Sequence, residues 1–469
     1  MKSNHYFCCV SVCFLLLFSM LSVGSAYGAL SRDDIEKSLA AYQLTNTSVA
    51  LRIIDAKNGK KILFYHEDKT FQPGSVFKLV TAAAALLYLG SDYRFKTTLY
   101  FDKRLSKHVI NNLYIDFSGD PSLTTQDLVQ LLMQLQKEGI TEIKGDIYLV
   151  DRVFSGRAYP IDVSQSGAYF YYNAPVTAFN LNENAFPVTL QQKSKQFVVL
   201  NENEKVISHL RAADQKALQY CQFNANVTKD NQLILSGCLP ARESYKFYFA
   251  IQDPGAYMQK SVSKTLSTLK IKVANKVVKT TGLPSGLTYL GRHDSATLSA
   301  LVKHMLNISD NFYAQVLMKT LGQHYYGIGT FASGKKAITE ILKAKLDINL
   351  ATMQFEDGAG ASEQDLISAH FLSDLLFKMQ GQKTEKDFFN ALPVAGISGT
   401  LKNRLLALKA KVYAKTGTAS TATSLCGYYL PVKKERYIFC IMFNGIKQSQ
   451  RSDAYQMIEA VLQKLKPAE

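Results

Sequence analysis

Ser75 to Leu89 reads SVFKLVTAAAALLYL, with Pro73-Gly74 before it and Gly90 after it. Pro-Gly breaks the chain and Gly90 stops the run, so the spacing predicts one helix over 75–89. A helix that is apolar on nearly every side belongs in the centre of a domain. Its one charge, Lys78, stands three residues after Ser75, which places the amine one turn on and on the same face. A serine at a helix start also lies where backbone N–H groups favour developing negative charge. S-x-x-K recurs at Ser261, Ser267 and Ser333, but only Ser75 follows a Pro-Gly break and opens a long apolar helix.

Upstream, Ser48 to Asp55 (SVALRIID) and Lys61 to His66 (KILFYH) are strand-like runs around Asn58-Gly59, a hairpin turn signal. Downstream, from about Ser91 to Leu290, short β-like runs alternate with Gly, Asp and Pro, and one amphipathic helix, Thr125 to Glu138, interrupts them. A helical pattern returns at Ser295 to Leu321. Strand-like runs follow at Lys411 to Lys415, Ser424 to Leu430 and Tyr437 to Phe443, and a last helix at Ser452 to Leu465. At ~150 residues per domain, 469 residues make about three domains. The order implies an α/β domain of the α+β kind, built from residues 29–93 and 286–469 and split by a β-rich insertion at 94–285 that divides into two.

The first residues read as a secretory leader over 1–28. Lys2 precedes an apolar run from Tyr6 to Val23, and small residues from Gly24 to Ala29 offer cleavage after Ala26 or Gly28. The run approaches the ~18–20 residues that span a bilayer, so an uncleaved anchor is the alternative. Export to the periplasm argues against nucleic acid as the partner of the +16 formal charge, and removing the leader takes away only Lys2. An anionic wall polymer or membrane surface is the expected counterpart. Four cysteines remain, Cys221, Cys238, Cys426 and Cys440. The first pair flanks a turn and could staple a hairpin; the second lies in two strand-like runs, where two buried free thiols are an equal reading. No C-x-x-C or H-E-x-x-H pattern occurs, so no metal and no cofactor are expected.

Two further triplets join Ser75 and Lys78. Ser309-Asp310-Asn311 is the one S-x-N in the chain, and Lys415-Thr416-Gly417-Thr418 carries the one K-T-G, at the end of the run KVYAK. Taken singly, each has a bland explanation: a helix cap, a polar turn, solvated lysines. Together they make a serine-nucleophile set. A serine hydroxyl needs a neutral base, and a lysine amine becomes one when burial or a neighbouring cation such as Lys415 lowers its pKa from ~10.4. Ser309 can relay a proton to the leaving group, Asn311 can bind a substrate amide, and Lys415 can steady a substrate carboxylate. Gly417 leaves room for a substrate backbone along the strand. The N–H groups of Ser75 and Thr418 would form the oxyanion hole.

With these triplets, the chain resembles the class C low-molecular-weight penicillin-binding proteins, the D-alanyl-D-alanine carboxypeptidase/endopeptidase family. The resemblance extends to SGDPSL at 118–123, YNAPVTAFNLNEN at 172–184, SGCLP at 236–240, EDGAGAS at 356–362 and LPVAGISGTLKNR at 392–404. It implies an antiparallel sheet flanked by helices, a serine β-lactamase/transpeptidase-like catalytic domain, with two mostly β domains inserted between Lys78 and Ser309. It also implies cleavage of the terminal D-Ala of peptidoglycan stem peptides and of D-alanyl cross-links through an acyl-Ser75, which β-lactams trap as inhibitors. Thr416, Gly417, Thr418 and Arg404 are the implied substrate contacts. Ala359 replaces a serine common in the family, Glu363 a basic residue, and Asn182 an acidic one, which bears on the donor side chain preferred. Two rival readings are a β-lactamase and a non-catalytic wall-binding protein.

Overall fold

Strands from the two ends of the chain meet in one sheet. The computed structural model describes residues 31–160, 167–200, 206–228, 230–432 and 435–465; the expected leader at 1–28 lies outside them. Strands β1 (Ser48–Asp55) and β2 (Lys61–Tyr65) form the expected hairpin, and β1 pairs on its other side with a second set, β3 (Val412–Thr418), β4 (Ala422–Tyr429) and β5 (Tyr437–Asn444). The order is β2-β1-β5-β4-β3, antiparallel throughout. Alternation along β1 explains why it is buried on both faces. Ala50 and Ile54 enter a core shared with α1 (Lys78–Leu89), α2 (Leu298–Ile308) and α3 (Asn311–Tyr326). Val49, Leu51 and Ile53 enter a second core with the helices Arg32–Ala41 and Arg451–Lys464. Helix α1 is buried from Lys78 to Leu86, as an all-round apolar helix must be.

The insertion is mostly strand, as expected, with one long helix that its texture did not announce. Its first unit is a mixed five-stranded sheet in the order Val277–Thr280, Ile147–Asp151, Leu113–Phe117, Lys96–Phe101, Thr288–Asp294, with its first three strands parallel. Parallel strands need crossovers, and two helices supply the cover, Thr125–Lys137 and an unexpected Pro254–Thr268. The latter buries Met258, Val262 and Leu266 four residues apart, a stripe diluted by intervening Ser, Lys and Thr. Because Thr288–Asp294 pairs with Lys96–Phe101, this sheet runs past the boundary expected at 285. The second unit, between 185 and 250, is a six-stranded sheet with its own core. Cys221 and Cys238 are disulfide-bonded across its Asn224–Val227/Leu233–Pro240 hairpin. Cys426 and Cys440 are also bonded, not free thiols, because β4 and β5 set them directly opposite each other.

Candidate active site

The helix expected over 75–89 begins as a 3₁₀ turn, Gly74–Phe77, and becomes α-helical at Lys78. That turn leaves Ser75 partly exposed while Lys78 is fully buried. Lys78 Nζ donates to Ser75 Oγ at 2.8 Å, to Asn311 Oδ1 at 2.7 Å and to the Ala359 carbonyl at 3.2 Å. The helical pattern over 295–321 breaks in the middle. Ser309 takes a left-handed conformation (φ 63°) as the C-cap of α2, and Asp310 caps α3 by accepting from Tyr313 N. The break turns Ser309 towards β3 and Asn311 towards α1. Lys415 Nζ donates to Ser309 Oγ at 2.9 Å and to the Thr416 carbonyl at 2.8 Å. Two serine–lysine pairs thus face one another, one from the 3₁₀ turn and α1, the other across the α2–α3 break and β3.

Both lysines are buried. Burial pushes the Lys78 ammonium down to about 8, against the charges of Asp357 and Asp310, which favour it. Lys415 is held well below lysine's usual value by burial first, then by Lys78 and Arg404. Lys78 is therefore poised to give up a proton near neutral pH, which an exposed lysine would not do.

The remaining K-T-G residues are held by neighbours on several sides. Thr416 Oγ1 donates to Thr400 Oγ1 at 2.8 Å. A Cβ at Gly417 would fall 2.1 Å from Ser424 Oγ and 2.4 Å from the Pro73 carbonyl, so this glycine lets β3 lie against the nucleophile turn. Gly74 (φ 56°) is closed in by the backbone N of Thr418, 2.8 Å from where its Cβ would stand, so the Ser75 and Thr418 amides lie close together. Arg404 stands apart from the hydrogen-bonded group. It lies 3.6 Å over the Tyr455 ring, with Nε and Nη2 buried and unpartnered, yet its charge reaches Lys415.

Two contributors went unassigned in the sequence. The Asp357 carboxylate accepts from the amides of Ala359, Gly360, Ala361 and Ser362, which turns the Ala359 carbonyl onto Lys78. Thr400 anchors Thr416. Both lie in quoted runs, EDGAGAS and LPVAGISGTLKNR, whose polar residues next to glycine were the available signal.

Curated relatives match this chain over most of its length. D-alanyl-D-alanine carboxypeptidase DacB of Haemophilus influenzae is 28% identical over 402 residues, covering 83% of this chain and 84% of that protein. The D-alanyl-D-alanine carboxypeptidase of Actinomadura sp. is 27% identical over 439 residues, covering 88% and 81%. The crystal structure of penicillin-binding protein 4 from Haemophilus influenzae superposes with a TM-score of 0.84 at 26% identity, covering 91% of this chain and 98% of that one. A family model, too, matches nearly the whole of the described chain, residues 31–465, and the protein belongs to the D-Ala-D-Ala carboxypeptidase 3 (S13) family.

Proposed function

We propose that the protein is a penicillin-binding serine D,D-carboxypeptidase that removes the terminal D-Ala from peptidoglycan stem peptides and also cuts D-alanyl cross-links. The observation that carries this reading is the double serine–lysine arrangement, with Lys78 Nζ 2.8 Å from Ser75 Oγ and Lys415 Nζ 2.9 Å from Ser309 Oγ. Ser75 Oγ attacks the carbonyl of the penultimate D-Ala as neutral Lys78 takes its proton. The amides of Ser75 and Thr418 hold the oxyanion. Ser309 passes a proton to the leaving amine, and water then hydrolyses the acyl ester. A substrate carboxylate beside Lys415 favours the proton there, and repulsion between the two ammonium groups keeps Lys78 neutral. Arg404 adds positive field to the carboxylate end, Asn311 meets a substrate amide while holding Lys78, and Thr416 and Thr418 line the β3 edge.

A leader over 1–28 would send the protein to the periplasm. Among the described residues no helix is long and apolar enough to cross a membrane. Mass spectrometry of muropeptides incubated with the purified protein tests the reading. Loss of one alanine from pentapeptides and conversion of cross-linked dimers to monomers are expected, both absent in Ser75→Ala. Rapid turnover of benzylpenicillin without a lasting adduct would favour a β-lactamase instead, and no D-Ala release would leave a wall-binding protein.

A further inference from the structure

Beside the active site, the insertion meets the catalytic helices at three potential ligands from three elements. His304 on α2, Asp310 at the α2–α3 break and Glu183 on the insertion place one ligand atom each within 4.8 Å of one another. His304 Nε2 is 3.5 Å from Asp310 Oδ2 and 3.8 Å from Glu183 Oε1, buried and outside hydrogen-bond geometry with either. The Asp310 side chain is 8% exposed, and its other oxygen, Oδ1, is used in capping α3, so Oδ2 is the one turned to the imidazole. The His304 ring lies against Tyr313, centroids 4.5 Å apart, which fixes its plane. Glu183 projects between two anchored asparagines. Asn182 accepts from Thr125 N and donates to Thr125 Oγ1, and the buried Asn184 donates to the Pro175 carbonyl.

We propose that His304, Asp310 and Glu183 form a divalent transition-metal site that ties the insertion to the catalytic domain. Bonds of ~2.0–2.2 Å put ligand atoms roughly 3.3–3.6 Å apart around a tetrahedral ion, so the observed spacings need only a small closing movement. Glu183, 37% exposed, can supply it. One imidazole nitrogen with two carboxylates suits Zn²⁺ better than Mg²⁺ or Ca²⁺, which prefer all-oxygen shells. Water reaches the fourth position from the exposed side of Glu183 and His304. An ion here would fix the residue preceding Asn311, the ligand of Lys78. Glu183 is distant in sequence from His304 and Asp310, so no local spacing announced the trio against the expectation of no metal.

The test is titration of the purified, chelator-treated full chain with Zn²⁺ by calorimetry, with thermal unfolding as a second readout. One equivalent should bind and raise the melting temperature. Affinity should fall at least tenfold in both Glu183→Gln and His304→Gln and stay unchanged in His370→Gln, whose imidazole meets the exposed Asp68 elsewhere. Labelling of each variant with fluorescent penicillin reports that it is folded. No binding at 100 µM Zn²⁺, or binding that survives Glu183→Gln and His304→Gln, overturns the proposal and leaves the trio a cluster of ion pairs.

Discussion

Lys78 is the residue on which the chemistry turns, and its burial makes its behaviour measurable. Its amine must be neutral to accept the Ser75 proton, and with the pKa pushed to about 8 only a minor fraction is neutral at pH 7. The second-order rate of acylation by benzylpenicillin should therefore climb roughly tenfold between pH 7 and 9. Asp357 favours the ammonium, so Asp357→Asn should move that rise to lower pH. A flat profile, or a shift to higher pH in the variant, would remove Lys78 as base. Gly417 offers a steric counterpart. Gly417→Ala drives a Cβ into Ser424 and the Pro73 carbonyl, an overpacking that costs ~1–3 kcal/mol and displaces the nucleophile turn. Melting temperature and acylation rate should drop together; acylation at the wild-type rate would show that the turn tolerates the methyl. Type and spacing singled out the serines, the asparagine and the lysines that the fold brings together. The role of Gly417 was not legible in this way, since its contacts come from Pro73 and Ser424, distant in the chain.

At the level of elements, periodicity and punctuation marked the strands well because burial follows them so closely. The run SVALRIID is β1 from end to end, and Asn58-Gly59 turns the hairpin. The S-D-N break was hidden, since Met305, Leu306, Phe312 and Tyr313 keep an apolar texture on both sides and only two residues, a left-handed Ser309 and an extended Asp310, separate the helices. Helix Pro254–Thr268 was hidden for a different reason, its apolar stripe being one residue wide. Cysteine spacing left the pairing open, and strand register closed it. The Cys221–Cys238 bond closes a loop with a sequence separation of 17. Loops of about that length contribute ~3 kcal/mol by restricting the unfolded chain. The double variant Cys221→Ser/Cys238→Ser should unfold its insertion unit at lower denaturant, measured by proteolysis, while benzylpenicillin acylation stays at the wild-type rate. Loss of acylation would mean that the β unit supports the site directly.

For the whole molecule, insertion and catalytic domain are fastened at more than one place, and the fastenings concern charge. Lys319 on α3 is buried and donates to the carbonyl of Arg157 at 3.1 Å, between the rings of Phe154 and Phe331. The long β-rich interval between Lys78 and Ser309 is the ground for expecting several domains and a split catalytic unit; it could not announce such joins, which depend on tertiary placement. The formal charge of +16 remains a property of the whole surface. If it draws the protein to an anionic wall, attraction is screened over ~10 Å at 0.1 M salt and ~3 Å at 1 M. Cosedimentation of Ser75→Ala with purified sacculi, which prevents turnover during the assay, should therefore weaken several-fold as salt rises through that range. Acylation by a small β-lactam, a reaction at the buried lysine pair, should change far less over the same range. Sacculus binding indifferent to salt would place recognition in the stem peptide and the cleft, and would leave the basic surface without a part in it.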